Sequence, residues 1–196
     1  MGRWSGPDNP AVLRKALPVV ALAGLLGVGV SFAVSPNLAG AFGAALALLM
    51  LAVAVSDARH FLVPNVLTAP AFLLGVLFEA LFGAEPIVSA ITLCLLRALA
   101  AALPFLALML LYQWLRGRPG LGMGDVKLAA VAGAWLDWVT IAWVVEAAAL
   151  AAIVTYVVWR YLLHRPVTAA TRLPFGLFLA PAIWLGWIAQ TITAAH

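Results

Sequence analysis

The sequence predicts an all-α, polytopic membrane protein with about seven transmembrane helices. Of its 196 residues, 66% are hydrophobic and only 9% are charged, and the mean hydropathy is +1.11. A soluble domain of this length could not bury so much apolar surface. The apolar runs are continuous rather than alternating, and Ala, Leu and Gly dominate them. This pattern excludes a transmembrane β-barrel.

The first three helices are predicted from apolar runs separated by polar turns. The run at 16–34 follows a basic, polar tail and is longer than the roughly 7–15 residues of a signal-peptide core, so we expect an uncleaved anchor. A turn at Ser35-Pro36-Asn37 precedes the second run, 38–55, which ends at a polar group containing Asp57. The third run extends from Pro64 to Phe82, because proline is tolerated at the start of a helix.

The remaining helices are predicted from one clear run and one long, ambiguous stretch. The fourth run, 87–115, leads through a polar loop to Asp125. The stretch 128–163 is too long for one span of about 20 residues and tight for two, and Asp137 is its only plausible break. We therefore expect a short fifth helix before Asp137 and a sixth after it. Pro174 begins a seventh run to about residue 189.

The distribution of basic residues supports seven crossings. If the amino terminus is cytoplasmic, ten of the eleven Lys and Arg residues lie on the cytoplasmic side, as the positive-inside rule predicts. They are Arg3, Arg14, Lys15, Arg59, Arg116, Arg118, Lys127, Arg160, Arg165 and Arg172. The opposite turns hold only the acidic Glu85 and Asp137. Two predicted helices lie between Asp57 and Asp125, and an even number of crossings returns the chain to the same side. The sequence therefore places both aspartates on one face of the membrane.

Asp57 and Asp125 are therefore the candidate catalytic residues. In an aspartyl protease, an ionised carboxylate takes a proton from water, and a protonated partner polarises the scissile carbonyl and later protonates the leaving amine. Two such groups in close proximity would share one proton. Gly122 and Gly124 remove side-chain bulk beside Asp125, which lets another part of the chain approach it. Alternatively, Asp125 is only the N-cap of the following helix.

Other kinds of site lack the residues that they need. The sequence has no Ser in a Gly-x-Ser-x-Gly turn, and its single cysteine, Cys94, has no identifiable catalytic His. The three histidines, at 60, 164 and 196, lack the spacing of zinc ligands, so no metal site is expected. The net charge of +4 comes from single basic residues at the ends of apolar runs. Such residues are topology signals rather than a nucleic-acid-binding surface.

Three segments in this order resemble the motifs of the prepilin peptidases, or type IV leader peptidases, which are Gly-x-Gly-Asp intramembrane aspartyl proteases. The first is Asp57-Ala58-Arg59-His60-Phe61-Leu62-Val63-Pro64-Asn65, and the second is Gly122-Met123-Gly124-Asp125-Val126-Lys127-Leu128. The third, Leu173-Pro174-Phe175-Gly176-Leu177-Phe178-Leu179-Ala180, is similar to the family's carboxy-terminal Pro-Phe-Gly segment. The resemblance covers about residue 45 to the end.

The resemblance implies an endopeptidase of the inner membrane that removes the short, basic leader of prepilins and pseudopilins at the cytoplasmic face. Asp57 and Asp125 match the two catalytic aspartates of the family, and no metal or organic cofactor is expected. Residues 1–36 would form a tail and an extra helix, and residues 37–196 a six-helix peptidase domain. The cysteine tetrad of the larger, bifunctional members is missing, which leaves their methyltransferase activity in doubt. Nucleic acid is not an expected partner, and the sequence does not reveal the oligomeric state.

Several supporting residues have two interpretations. Lys127 either tunes the charge of Asp125 or serves as a topology signal. Pro174, Phe175 and Gly176 either line a substrate groove or simply begin a helix. The intramembrane ions Glu79, Arg97 and Glu146 are expected to form one buried cluster that joins helices three, four and six. An interfacial aromatic belt is predicted for Trp4, Trp114, Trp135, Trp138, Trp159 and Trp184.

Two alternative functions remain open from the sequence. A proton- or cation-coupled transporter would also place carboxylates such as Asp57 and Asp125 in the membrane. It would require polar groups that continue across the bilayer, whereas helix five beyond Asp125 is nearly all Ala, Val and Leu. An inactive scaffold of a pilus or secretion system is the second alternative. For the peptidase, we expect both aspartates to be open to the cytosol, because hydrolysis needs water.

Overall fold

The computed structural model describes residues 10–117, 122–162 and 174–194, and within these ranges the regular structure is entirely helical. Seven α-helices are present in the described ranges, and a π-helical turn, Val158–Leu162, continues the sixth. The helices are α1 (Pro10–Val34), α2 (Leu38–His60), α3 (Asn65–Phe82), α4 (Ile87–Arg116), α5 (Met123–Trp135), α6 (Trp138–Val157) and α7 (Gly176–Ala194).

Six of these helices are long and apolar enough to cross a membrane, namely α1 to α4, α6 with its π-helical turn, and α7. The exception is α5, which has 13 residues. At 1.5 Å per residue it is about 20 Å long, shorter than a hydrocarbon core of about 30 Å. The prediction of an all-α polytopic protein is confirmed, and so is the short fifth helix.

Polar side chains and local backbone geometry set the helix ends. The side chain of Asn37 accepts a hydrogen bond from the Ala39 N–H at the start of α2, and that of Asp137 accepts one from the Thr140 N–H at the start of α6. The predicted break at Asp137 is thus confirmed. At the other end of α2, Phe61 adopts a left-handed conformation with φ of 53°. Because α2 extends beyond residue 55 to His60, Asp57 lies in its last turn.

The short helix α5 forms the centre of the bundle and packs against α3, α4 and α7. Leu128, Ala132 and Trp135 of this helix are fully buried. A Cβ atom at Gly133 would lie 2.5 Å from the backbone oxygen of Arg97, so only glycine permits this approach of α4. A helix that is apolar from Leu128 onward therefore fills the core, and the longer helices surround it.

Two tryptophans assigned to the interfacial belt have other roles. Trp135 is buried, and its indole N–H donates a hydrogen bond of 2.8 Å to the carbonyl oxygen of Ala71. Trp184 donates to the hydroxyl of Ser31, which links α7 to α1. The belt prediction is wrong for these two because an indole with a hydrogen-bond partner can be buried in a helix interface. Trp114 and Trp138 are exposed, as a belt requires.

The predicted ion cluster exists only in part. The Arg97 Nη2 atom of α4 lies 2.8 Å from the Glu79 Oε2 atom of α3, and both side chains are largely buried. Glu146 is exposed on α6 and does not join them. The reason is the arrangement of the helices, since α6 packs chiefly against α7 whereas α4 packs against α5 and α3.

Some sequence predictions concern residues that the structure does not describe. Among the predicted cytoplasmic charges, Arg3, Arg118, Arg165 and Arg172 lie outside the described residues, and the side chains of Arg14 and Lys15 are outside them too. The same holds for Trp4, His164, Leu173 and His196.

We expect the variant Arg97→Ala to lower the thermal stability of the detergent-solubilised protein. Removing one partner of a buried ion pair leaves an uncompensated charge and costs about 3–5 kcal/mol, and somewhat less here because both side chains keep some exposure. A fall in melting temperature of roughly 5–10 °C is expected. The control Arg116→Ala removes an exposed charge at the end of the same helix. An unchanged melting temperature for Arg97→Ala would contradict a stabilising role.

Candidate active site

Asp57 is held at the junction of α2 and α7. Its side chain is buried, with 6% exposure. The backbone N–H of Leu177, in the first turn of α7, donates a hydrogen bond of 3.1 Å to Asp57 Oδ2. The first N–H groups of a helix have no partners within it, and they form the positive end of the helix dipole. The start of α7 therefore favours a negative charge on Asp57 and offsets part of the cost of burying it.

Asp125 lies at the amino-terminal end of α5, beside Asp57. It is the third residue of the helix, and Gly122 occupies the N-cap position, so the simple N-cap interpretation is wrong. Asp125 is 9% exposed. Burial, with a smaller contribution from the negative charge of Asp57, raises the pKa of the Asp125 carboxyl to about 6, and a hydrogen bond from the Gly122 backbone opposes the shift. The structure thus brings together the two predicted catalytic residues.

Two glycines allow the chain to close around the carboxylates. A Cβ atom at Gly176 would lie 2.8 Å from Asp57 Oδ2 and 3.2 Å from Leu128 Cδ1. A Cβ atom at Gly124 would lie 2.7 Å from Val63 Cγ2, in the segment that follows α2. Any larger residue would push apart the elements that meet here. The group that approaches Gly124 is the Val63 side chain, whereas the predicted approach of another backbone segment to Asp125 stays a prediction.

The segment that contains Pro174 and Phe175 begins α7 and lies beside Asp57. The Pro174 carbonyl accepts a hydrogen bond of 3.2 Å from the Leu177 N–H, the same donor that reaches Asp57. The Phe175 ring packs against Phe105 of α4, with 6.2 Å between the ring centroids. The segment is therefore a helix start that also forms part of the site, so the two interpretations of its role are compatible.

Lys127 lies on a different side of α5 from Asp125. Its side chain lines a cavity of about 360 Å³ between α3 and α5, together with Asn65, Phe72 and Val131. Among the described residues, no hydrogen bond or ion pair connects Lys127 to Asp125. Two residues of helix correspond to about 200° of rotation, which explains why the two side chains diverge. Its proposed effect on Asp125 stays a prediction.

Sequence reasoning missed the groups that act through the backbone or through packing. The Leu177 N–H, the Val63 side chain and the buried Leu128 all contact the site. None of these groups is a titratable or nucleophilic side chain, so the sequence did not mark them as candidates for the site. The one available clue for Leu177 is its position just after Pro-Phe-Gly, where a helix start presents free N–H groups.

The geometry supports acid–base chemistry on a peptide. The carboxyl groups of Asp57 and Asp125 are both buried and interact electrostatically, and one oxygen of Asp57 accepts a hydrogen bond from the amino terminus of a helix. Such a pair can hold a single proton, so one member can act as base while the other acts as acid. In the described part of the chain, no three His, Cys, Asp or Glu side chains are grouped as metal ligands would be.

Comparison with known proteins identifies the family. The type IV leader peptidase family matches residues 44–158, which include both aspartates. The chain belongs to this family. It is 31% identical over 188 residues to the prepilin leader peptidase/N-methyltransferase of Aeromonas hydrophila, covering 96% of this chain and 61% of that relative. It is 35% identical over 136 residues to the leader peptidase HopD of Escherichia coli, covering 67% of this chain and 82% of that relative.

The chain covers only part of some of its relatives. The chain spans about 61% of the Aeromonas relative and 62% of the corresponding protein of Dichelobacter nodosus, to which it is 30% identical. No solved structure matches the chain significantly. The resemblance found in the three sequence motifs is therefore confirmed at the level of the family.

The raised pKa of Asp125 predicts a pH-dependent stability. An aspartate in an unfolded chain has a pKa of about 3.9, so the folded state with a pKa of about 6 holds the proton more tightly. The stabilisation is complete below about pH 4 and is lost as the pH rises through 6. The difference of about two pH units between the folded and unfolded pKa values of Asp125 corresponds to a loss in the free energy of unfolding on the order of 3 kcal/mol.

Melting temperatures of the wild type and of Asp125→Asn between pH 4 and pH 8 would measure this effect. The wild type should lose stability over this range, and Asp125→Asn should lose markedly less. Glu85→Gln, in an exposed turn, controls for the removal of an acidic charge. Parallel curves for the wild type and Asp125→Asn would contradict the raised pKa.

Proposed function

We propose that this protein is a membrane-embedded aspartic endopeptidase that removes the short, basic leader of prepilins or pseudopilins. The observation that carries the proposal is the meeting of Asp57 and Asp125, from α2 and α5, in one buried site at a single end of the bundle. Membership of the leader peptidase family supports the reaction class. The names of the curated relatives support prepilins as the substrates.

In the proposed mechanism Asp57 is the base and Asp125 is the acid. The hydrogen bond from the Leu177 N–H stabilises negative charge on Asp57, so this carboxylate takes a proton from the attacking water. Asp125, whose pKa is raised to about 6, is the proposed acid, and in its protonated form it donates its proton to the scissile carbonyl oxygen as the tetrahedral intermediate forms. When the intermediate collapses, the C–N bond breaks, Asp57 passes its proton to the leaving amine, and one hydroxyl of the intermediate returns its proton to Asp125 as the new carboxyl group forms.

Water must reach the site for this reaction, yet both carboxylates are buried. The sequence-based expectation of a site open to the cytosol is therefore wrong for the structure as it stands. We infer that substrate entry opens the site by separating the segment around Val63 from the start of α5, since their contact closes one side of Asp125. Catalytic geometry that completes itself only on substrate binding is common among enzymes.

The proposed location is the cytoplasmic face of the inner membrane. Most basic residues of the sequence fall at the end of the bundle that contains the aspartates when the amino terminus is placed in the cytoplasm. A leader rich in positive charge stays on that side of the membrane, so the scissile bond would be presented there. The division into an extra amino-terminal helix, 1–36, and a peptidase domain, 37–196, is part of this proposal.

A transporter is the weaker explanation of the same carboxylates. Beyond Lys127, the residues of α5 are apolar, and Leu128, Val131, Ala132 and Trp135 are all fully buried. An ion that left Asp125 along this helix would meet no ligand and no water-filled path. An inactive scaffold is distinguished by experiment, as described next.

Either aspartate variant should abolish cleavage. The purified protein is incubated with a prepilin that carries a short basic leader, and the product is detected as a leader-sized mobility shift. Asp57→Asn and Asp125→Asn remove the base and the acid respectively while preserving size, so each should reduce the rate by at least about a thousandfold. Glu85→Gln, distant from the site, should cleave normally. Cleavage by either aspartate variant at the wild-type rate would remove the mechanism, and an inactive wild type would favour the scaffold.

The variant Gly176→Ala should reduce cleavage without unfolding the protein. The added methyl group would lie 2.8 Å from Asp57 Oδ2 and would displace the carboxylate from the Leu177 N–H. We expect a rate at least tenfold lower, because catalytic groups tolerate little displacement. Gly29→Ala is the matched control, since nothing lies within 4 Å of a Cβ atom there. Equal rates for the two variants would show that the start of α7 does not position Asp57.

A further inference from the structure

The first turn of α7 presents one backbone N–H group to two acceptors. The Leu177 nitrogen lies 3.1 Å from Asp57 Oδ2 and 3.2 Å from the carbonyl oxygen of Pro174, and its N–H donates to both. Such shared bonds are common at helix ends, and a small movement of the donor gives the bond to one acceptor alone. The hydrogen bond to Asp57 therefore depends on where this turn is held.

An aromatic ring of α4 contacts this turn. In the described part of the chain, α7 packs chiefly against α2, α5 and α6, and α4 does not pack along it. Phe105 of α4 nevertheless lies against Phe175, the residue before Gly176, with 6.2 Å between the ring centroids and 39° between the ring planes. Favourable aromatic pairs have centroids about 4.5–7 Å apart. The start of α7 is therefore held by α4 as well as by its main neighbours.

The surroundings of Phe105 favour a local role over general packing. Phe175 packs against the main apolar core, whereas Phe105 is not among the described residues that do so. Both side chains are partly buried. Among the described aromatic residues, Phe175 is the one whose ring Phe105 contacts. Removal of the Phe105 ring should therefore disturb the start of α7 more than the core of the bundle.

We propose that Phe105 is a positioning residue for the proposed reaction: its ring holds Phe175 and thereby keeps the Leu177 N–H on Asp57. The connection between the ring and this N–H is short. The Phe175 carbonyl accepts a hydrogen bond of 3.0 Å from the Phe178 N–H, so Phe175 and Leu177 belong to one hydrogen-bonded turn that moves as a unit. The inference rests on the proposed function, because Asp57 acts as a base only in that reaction.

Steady-state cleavage of a prepilin distinguishes positioning from general packing. Phe105→Leu removes the ring and keeps an apolar side chain, so we expect kcat to fall about tenfold while KM changes by less than about twofold. An equal loss of kcat and kcat/KM marks an interaction that is made in the transition state. Phe105→Tyr keeps the ring and should retain at least about half of the wild-type kcat.

The matched control is Phe82→Leu. It removes a ring that contacts Phe42, with 5.9 Å between the centroids, at the end of α3 that lies away from the site. It should leave kcat and KM unchanged, because no part of that contact reaches Asp57 or α7.

A double-mutant cycle tests whether the two rings act as one contact. Phe175→Leu should lower kcat at least as much as Phe105→Leu, because it also removes contacts with the core. The double variant should cleave as fast as Phe175→Leu alone, since the pair is already broken. A further loss of about tenfold on adding Phe105→Leu would show that the rings act separately, and it would overturn the proposal.

Hydrogen–deuterium exchange tests the same contact without cleavage. In Phe105→Leu, the amides of residues 177–179 should exchange at least about fivefold faster than in the wild type, whereas Phe82→Leu should leave them unchanged. Unchanged exchange in Phe105→Leu, or a kcat within about twofold of the wild type, would contradict the positioning role. If these amides respond as expected but the wild type does not cleave prepilin, the contact is supported and the proposed function fails. The two failures are therefore distinguishable.

Discussion

The contact between the start of α7 and the Asp57 carboxylate is the constraint on which the structure of the site depends. Two carboxyl groups are buried side by side near the apolar part of a membrane, where neither charge is solvated well. The Leu177 N–H donates a hydrogen bond to Asp57, and burial together with the negative charge of Asp57 raises the pKa of Asp125 to about 6. The glycines at 124 and 176 follow from this constraint, because larger residues would hold the carboxylates and their supporting segments apart.

The rest of the bundle serves to bring three chain segments to one place. The hairpin of α3 and α4 returns the chain to the end of the bundle that it left after α2, so that Val63 meets Gly124. The ion pair between Arg97 and Glu79 joins the two arms of this hairpin. A short α5 can then lie entirely inside the bundle, with its apolar part buried and its first turn at the site. The shortness of α5 and the buried position of Asp125 are thus parts of one arrangement.

The successful and the failed sequence predictions differ in a physical way. The helices and the break at Asp137 were predictable because hydrophobic length and capping residues act locally. The roles of Trp135 and Glu146 were not, because the sequence shows that a residue lies in a membrane helix but does not show which way it faces. Trp135 is directed at Ala71 and is buried, whereas Glu146 is directed away from the bundle. The expected exposure of the aspartates failed for the same reason, since neighbouring helices decide their access to water.

The sequence by itself determined the membrane class, the helix count, the family and the two aspartates proposed for catalysis. Composition, apolar run length and the parity of crossings are properties of the chain alone, and they place Asp57 and Asp125 at one face. Only the tertiary structure decided which carboxylate is paired with a helix amino terminus, which residues close the site and which face of α6 is turned away from the bundle. Those features depend on the rotation and packing of helices that are distant in sequence. The hydropathy of a segment predicts neither its rotation nor its neighbours.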